Sequence, residues 1–119
     1  LGDVYKRQLP PQSIDDQRRA AALIRGSVPD RWPQLQESAN AFYYEKLVYL
    51  TSMILRRADA DQYRVHLGEL KIGITAGFKD PQLGRNPRLP LFIRLAAWAT
   101  VYTPKLWQRI CRTFLKDRQ

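Results

Sequence analysis

The sequence predicts an all-α protein, either an irregular bundle of about five helices or a helical appendage at the C-terminal end of a larger protein. Apolar residues recur every three or four positions in several segments, which is the spacing of one face of an α-helix. No segment alternates between apolar and polar residues with period two, as a half-buried strand would. Proline, glycine and N-cap residues divide the 119 residues into five helical segments.

The first two helices are predicted over residues 13–25 and 33–57. Ser13 is a suitable N-cap for the first helix, and Gly26 is a natural stop. Pro33 suits the first turn of the second helix. The centre of this helix, AFYYEKLVYLTSMIL, is apolar almost all round, which is typical of a helix buried on most sides. We expect part of this surface to remain as an exposed apolar patch where a partner domain docks.

The third helix is predicted to begin in the segment DADQYRVHL, with Asp59 or Asp61 as its N-cap, and to end at Gly77. One face of this helix carries four apolar residues at helical spacing, namely Tyr63, Leu67, Leu70 and Ile74. The segment that follows, FKDPQLGRNP, is dense in turn residues and is predicted to be a loop.

The last two helices are predicted over residues 87–102 and 104–116. Asn86 is the expected N-cap of the fourth helix, and Thr103 followed by Pro104 opens the fifth. Four large apolar residues are spaced four, three and four positions apart in the fourth helix, so they lie on one side of it. These residues are Leu91, Leu95, Trp98 and Tyr102.

A strong positive charge limits the classes of partner. The chain holds 20 Lys and Arg against 11 Asp and Glu, a formal net charge of +9 at pH 7. This balance favours nucleic acid, an acidic membrane surface or a phosphorylated ligand. The longest mostly apolar stretch, residues 89–107, contains Arg94, Pro104 and Lys105. It falls short of the roughly 20 continuous apolar residues that span a bilayer, so only an element lying on the membrane surface is compatible with it.

Catalytic, cofactor-binding and metal-binding residues are not expected in this chain. Cys111 is the only cysteine, which excludes an internal disulfide and a cysteine-built zinc site. His66 is the only histidine, which excludes a metal site built on a pair of histidines. Asp59 and Asp61 form a D-x-D, which binds a divalent metal in many sugar transferases, but its position between two helices indicates a turn with an N-cap. His66 is predicted to be a partly exposed helix residue, and Cys111 a small core residue.

The last helix carries the candidate contact residues. Lys105, Arg109, Arg112 and Lys116 are spaced four, three and four apart and therefore share one helical face. The opposite side is apolar and includes Trp107, which is expected at the level of the lipid headgroups if this helix lies on a membrane. The alternative is an ordinary helix that packs on the core and leaves a solvated basic face.

Nucleic acid is a less expected partner than a membrane. The cations are spread along the whole chain, and no segment has the pattern of a helix-turn-helix. The aromatic residues lie in apolar stripes rather than between lysines and arginines, as a base-stacking surface requires. A free-standing basic helical module that binds nucleic acid or a protein is the alternative function.

Residues 41–116 resemble the C-terminal helical region of bacterial family 2 glycosyltransferases. In that region an aromatic-rich helix precedes a helix with a YxxxLxxLKxG-like pattern and a final pair of apolar and basic helices. The matching residues are Tyr63, Leu67, Leu70, Lys71 and Gly73, followed by the segments 91–95 and 102–107. The resemblance implies an upstream catalytic domain that binds a nucleotide sugar through a divalent metal.

The resemblance further implies a non-catalytic tail of a membrane-associated glycosyltransferase in cell-surface polysaccharide synthesis. The tail is expected to pack on the catalytic domain, on the membrane surface or on both, at the cytoplasmic, inner face of a bacterial membrane. The catalytic residues of the family match no position here, so the parent protein is expected to be the enzyme, and this chain alone to have no activity. A small enzyme in its own right is the least expected function, because no polar groups converge.

The opening residues LGDVYKRQ are interpreted as foreign to the protein. Their codons can read as the transposon-end adapter that is ligated to DNA fragments for sequencing, so residues 1–8 are treated as an in-frame scar. An adapter joined in frame to Leu9 implies a gene cut at random. Residues 9–119 are therefore predicted to be a single helical region, the C-terminal part of a larger protein.

Overall fold

The computed structural model describes residues 11–57 and 59–113. Within these residues it contains five α-helices and no strand, which confirms the predicted all-α fold. Residues 1–8 and Lys116 lie outside the described residues. Short 3-10 helices, Pro33–Leu35 and Ala60–Tyr63, lead into the second and third α-helices. The α-helices are α1 (Pro11–Arg31), α2 (Gln36–Leu55), α3 (Arg64–Gly77), α4 (Leu91–Tyr102) and α5 (Pro104–Thr113).

Helix α1 is longer than predicted, because it continues past Gly26. A glycine inside a helix costs only about 1 kcal/mol relative to alanine, and the packing of α1 along α2 outweighs this cost. Ala21 before the glycine and Pro29 after it are both buried. Arg25 donates a hydrogen bond of 3.0 Å to the side chain of the buried Asn40 in α2. The prediction that Gly26 ends the first helix is therefore wrong.

Helix α2 lies at the centre of the core, as its apolar sequence predicts. Its buried side chains extend from Ala39 to Leu55 and lie on most sides of the helix. The hydroxyl of Tyr44 donates a hydrogen bond of 2.7 Å to the carbonyl of Ile74 in α3. The other helices complete the core with the buried side chains of Ile14, Leu70, Ile74, Ile93, Ala96, Ala97, Trp107 and Cys111.

The predicted apolar stripe of the third helix faces this core. Tyr63, Leu70 and Ile74 are buried, and the half-buried Leu67 packs against the same cluster. Helix α3 ends at Gly77, as the sequence predicts. The confirmed stripe fixes which side of α3 meets α2.

No side chain caps the start of α3 or of the 3-10 helix before it. Asp59 instead accepts two hydrogen bonds from Arg57, with Nε to Oδ1 at 2.8 Å and Nη2 to Oδ2 at 3.2 Å. Such a bidentate, charge-assisted contact is among the strongest hydrogen-bonding arrangements in proteins, so the carboxylate turns back towards the end of α2. The prediction of an N-cap at Asp59 or Asp61 is therefore wrong.

Asn86 pins the loop between α3 and α4 to the start of α2. Its side-chain amide donates hydrogen bonds of 2.9 Å to the carbonyls of Glu37 and Gln82, and its Oδ1 accepts one from the backbone amide of Arg88. These bonds occupy the side chain that was expected to cap the fourth helix. Helix α4 begins only at Leu91, so its predicted start is too early.

Candidate functional site

The described residues contain no group of three His, Cys, Asp or Glu placed to hold a metal ion. Hydrogen bonds from Arg57 hold the pKa of the Asp59 carboxyl below its ordinary value, and Asp61 is exposed at the surface. The D-x-D thus lies in the turn and short 3-10 helix between α2 and α3. Its interpretation as an interhelical turn is confirmed, although no cap is formed.

His66 is a partly exposed helix residue and Cys111 a buried core residue, as predicted. The Nε2 atom of His66 lies 3.5 Å from a carboxylate oxygen of Asp15 in α1, and the histidine side chain is 20% exposed. Cys111 is fully buried, and burial raises the pKa of its thiol to about 11. Because the thiolate is the reactive form, this cysteine is a core residue rather than a poised nucleophile.

The predicted basic face of the last helix is exposed. Helix α5 begins at Pro104, as predicted, and Lys105, Arg109 and Arg112 all lie exposed on one side of it. None of these three forms an ion pair with a carboxylate of the described residues. The fourth predicted cation, Lys116, lies beyond the described part of α5. We call Lys105, Arg109 and Arg112 the basic face.

Trp107 does not belong to the exposed side of α5. It follows Lys105 by two residues, which at 3.6 residues per turn places it about 200° around the helix. It is only 8% exposed and packs in the core cluster that includes Cys111. Its Nε1 atom is buried and has no hydrogen-bond partner among the described residues. The structure therefore contradicts the expectation that Trp107 reaches the lipid headgroups.

Helix α4 turns its largest side chains away from the core. The residues that it buries are Ile93, Ala96, Ala97 and Thr100. The four large apolar residues that were predicted to lie on one side of this helix do so, but that side faces away from the core. Together with a neighbouring phenylalanine it forms what we call the α4 face, whose members are between 50% and 72% exposed: Leu91, Phe92, Leu95, Trp98 and Tyr102.

Two arginines border the α4 face. Arg85 and Arg94 line, together with Leu95 and Trp98, an open groove of about 440 Å³. The guanidinium of Arg94 donates a hydrogen bond of 2.9 Å to the carbonyl of the buried Asn86. This bond holds one cation in place beside the apolar side chains.

The segment that contains α4 and α5 carries charges of one sign only. From Pro81 to Thr113 the sequence contains no Asp or Glu. Only Arg88 in this segment lies near a described carboxylate, that of Glu37 at 3.8 Å. The absence of Asp and Glu from this segment is visible in the sequence. The expectation that the cations are spread along the whole chain did not take this absence into account. The cations of the segment are Arg85, Arg88, Arg94, Lys105, Arg109 and Arg112.

A second exposed apolar surface lies on α2, where the sequence predicts a patch. Phe42 and Tyr49 are 42% and 47% exposed. They line an open groove with Gln17 of α1 and with Lys46. The ammonium group of Lys46 lies 5.3 Å from the centre of the Tyr49 ring. The second helix therefore exposes two aromatic side chains, in a groove that also contains the charged Glu45 and Lys46.

Comparison with known proteins assigns this chain to no family. No model of a protein family matches it, and neither does any curated protein or solved structure. Among residues 11–57 and 59–113, no helix has both the length and the apolar character that a membrane crossing requires.

Proposed function

We propose that this chain is a non-catalytic helical tail of a membrane-associated family 2 glycosyltransferase that uses a nucleotide-sugar donor in cell-surface polysaccharide synthesis. The basic face of α5 carries the proposal, because Lys105, Arg109 and Arg112 are exposed together without a carboxylate partner among the described residues. The resemblance of residues 41–116 supports the kind of parent enzyme. In this proposal the tail holds the enzyme at the cytoplasmic, inner face of the membrane.

An anionic leaflet is the partner that suits the basic face. Each lysine or arginine near such a surface contributes about 1 kcal/mol, so three of them strengthen binding by about a hundredfold. The attraction decays over a Debye length of about 8 Å at physiological ionic strength. Binding through this face should therefore weaken steadily as salt is added.

A catalytic domain is the second partner in this proposal. The exposed side chains of Phe42 and Tyr49 on α2 offer it an apolar surface, and aromatic residues are enriched in protein interfaces. The nucleotide sugar and its divalent metal bind to that domain, as the resemblance implies. The two surfaces lie on different helices, α2 and α5.

Co-sedimentation with lipid vesicles tests the proposal. We expect the chain to bind vesicles that contain phosphatidylserine and to leave vesicles of pure phosphatidylcholine unbound. A variant with Lys105→Glu, Arg109→Glu and Arg112→Glu should lose this binding. A matched control reverses the charge of three cations on α1 and α3, in the variant Arg19→Glu/Arg31→Glu/Arg64→Glu. Equal binding by the basic-face variant and the control would contradict the proposal.

The alternative is a free-standing basic module that binds nucleic acid. It is favoured by cations that lie over exposed aromatic rings, contrary to the expectation that the two kinds of residue lie apart. Arg31 lies 5.3 Å from the ring centre of Trp32, and Lys46 is equally close to Tyr49. Tight binding to duplex DNA at physiological salt would favour this module over a membrane-bound tail.

A further inference from the structure

We infer that the α4 face inserts into the interfacial region of an anionic bilayer, while Arg85 and Arg94 at its border contact lipid phosphates. The inference rests on the proposed function, because it names the apolar contact of the same membrane-bound surface. Trp107 was the expected apolar anchor, but it is buried in the core. Exposed side chains such as Leu95 and Trp98 are available in its place.

The outward side of α4 has the character of an interfacial helix. A helix on the surface of a globular domain normally directs polar residues to water, whereas the α4 face is made of large apolar and aromatic side chains. The 12 residues of α4 extend about 18 Å at 1.5 Å per residue, which is too short to cross a bilayer. An interfacial helix lies in the membrane plane with its apolar side about 5–10 Å below the headgroups.

An aromatic cluster strengthens the case for a lipid interface. The ring centres of Trp98 and Tyr102 are 5.7 Å apart, and Phe78 packs edge-on against Tyr102 at 5.6 Å. Tryptophan and tyrosine are enriched at the level of the headgroups, because each combines an apolar ring with one polar group. Rings that already contact one another lose less conformational freedom when they bind.

Charge complementarity favours lipid over a second copy of this chain. Two copies that met through the α4 face would bring the like-charged Arg85 and Arg94 of both copies together. No Asp or Glu between Pro81 and Thr113 is available to neutralise them. A surface of lipid phosphates supplies the missing anions, and opposite charge is the usual arrangement across an interface.

The α4 face and the basic face belong to consecutive helices. Only Thr103 separates α4 from α5. At the start of α5, Leu106 is 54% exposed beside Lys105, so apolar surface continues next to the first cation of the basic face. Insertion of the α4 face would therefore bring the start of the basic face close to the same lipid surface.

Vesicle binding by an α4 variant tests this inference. The variant Leu91→Asn/Leu95→Asn/Trp98→Gln changes only exposed side chains, so the fold should persist, as circular dichroism and urea unfolding would check. Partition into vesicles containing phosphatidylserine should fall by about tenfold or more, because each buried CH₂ contributes about 0.8 kcal/mol. A matched control with three other exposed apolar side chains replaced should bind like the unmodified chain: Leu23→Asn/Val65→Asn/Ile72→Asn.

Tryptophan fluorescence identifies the inserted side chain. With vesicles that contain brominated lipid, quenching should persist in Trp32→Phe, which keeps Trp98, and should largely disappear in Trp98→Phe. Quenching that survives in Trp98→Phe and disappears in Trp32→Phe would overturn the inference, because it would place the other exposed tryptophan in the lipid.

The combined outcomes separate this inference from the proposed function. If the α4 variant binds like the unmodified chain while the basic-face variant does not bind, the insertion is overturned and the membrane-bound tail stands. If both variants bind like the unmodified chain, both proposals fail. A dimer in solution that the α4 variant converts to a monomer would also overturn the insertion, since a second copy would then cover the α4 face.

Discussion

The hydroxyl of Tyr44 in α2 donates a hydrogen bond of 2.7 Å to the backbone carbonyl of Ile74 in α3. Both residues are fully buried. Ile74 belongs to the last four residues of α3, whose carbonyls lack a partner within the helix. Burial raises the pKa of Tyr44, so its hydroxyl stays protonated and remains a donor. Tyr44 thus satisfies a helix end that the core would otherwise leave unpaired.

Replacing this tyrosine should destabilise the fold without changing its shape. Tyr44→Phe removes the donor and leaves the Ile74 carbonyl buried and unsatisfied, which costs about 1–3 kcal/mol of unfolding free energy. Urea unfolding measures this loss. In the control Tyr49→Phe the ring is 47% exposed, and the change should stay within about 0.5 kcal/mol. Equal stability of Tyr44→Phe and the unmodified chain would refute the assigned bond.

Two glycines should respond to alanine in opposite directions. A Cβ atom on Gly84 would clash with the backbone oxygen of Phe78, and backbone cannot yield as a flexible side chain does. We expect Gly84→Ala to destabilise the chain by about 2 kcal/mol or more. Gly26 lies inside α1 with nothing within 4 Å of its added Cβ, so Gly26→Ala should stabilise the chain by about 1 kcal/mol.

Thermal unfolding distinguishes these two substitutions, because the melting temperature should fall in Gly84→Ala and rise in Gly26→Ala. A melting temperature that falls in Gly26→Ala would show that α1 is not helical through this position. An unchanged one in Gly84→Ala would show that the loop does not approach Phe78 so closely.

The five helices could be predicted because their signals are local. An apolar residue every three or four positions is enough to place a helix, and in α3 it also identified the buried side. The ends at Gly26 and Asn86 could not be predicted, because contacts with α2, which are distant in sequence, add to the local ones. Helix α1 bonds to Asn40 in α2 just before its glycine and buries Pro29 beyond it. The Asn86 amide group donates to the carbonyl of Glu37, while its side-chain oxygen accepts from Arg88 in the loop rather than from an amide of α4.

The side of α4 that faces the core could not be predicted from the residues of α4 alone. Its sequence LFIRLAAWATVY contains one charged residue, so both sides are largely apolar. Spacing shows that Leu91 and Trp98 share a side, but whether that side or the one with Ala96 faces inward depends on the space left by α2 and α3. The basic face of α5 was predictable, because an unpaired lysine or arginine is almost never fully buried.

The contact between Arg57 and Asp59 should make part of the stability depend on pH. Hydrogen bonds from Arg57 lower the pKa of Asp59 from its ordinary value of 3.8. Because the folded-state pKa lies below the unfolded one, the contact stabilises the fold above about pH 4 and ceases to do so as the pH falls through the folded-state value. The destabilisation caused by Asp59→Asn should therefore be present at neutral pH and vanish in acid.

Urea unfolding of Asp59→Asn and of the unmodified chain at a series of pH values checks this dependence. The control repeats the comparison in an Arg57→Gln background, where the pH-dependent difference should be much smaller. A difference that is the same at every pH would mean that the Asp59 carboxylate is not held by Arg57 in solution.

Cys111 should react with thiol reagents only when the fold opens. Its side chain is fully buried, and burial raises its pKa to about 11. Since the thiolate is the nucleophile, iodoacetamide should modify the folded chain at least about a hundredfold more slowly than the urea-unfolded chain at mildly alkaline pH. Mass spectrometry follows the reaction.

A second cysteine on the other side of α5 supplies the control. Thr113 is exposed, so the variant Thr113→Cys/Cys111→Ala should react at nearly the rate of an unfolded thiol. If Cys111 in the folded chain reacted as fast as this control, α5 would not stay packed on the core. Trp107 packs in the same core cluster as Cys111, so Trp107 would then also be free to reach a membrane. The α4 face would no longer be needed as the apolar contact.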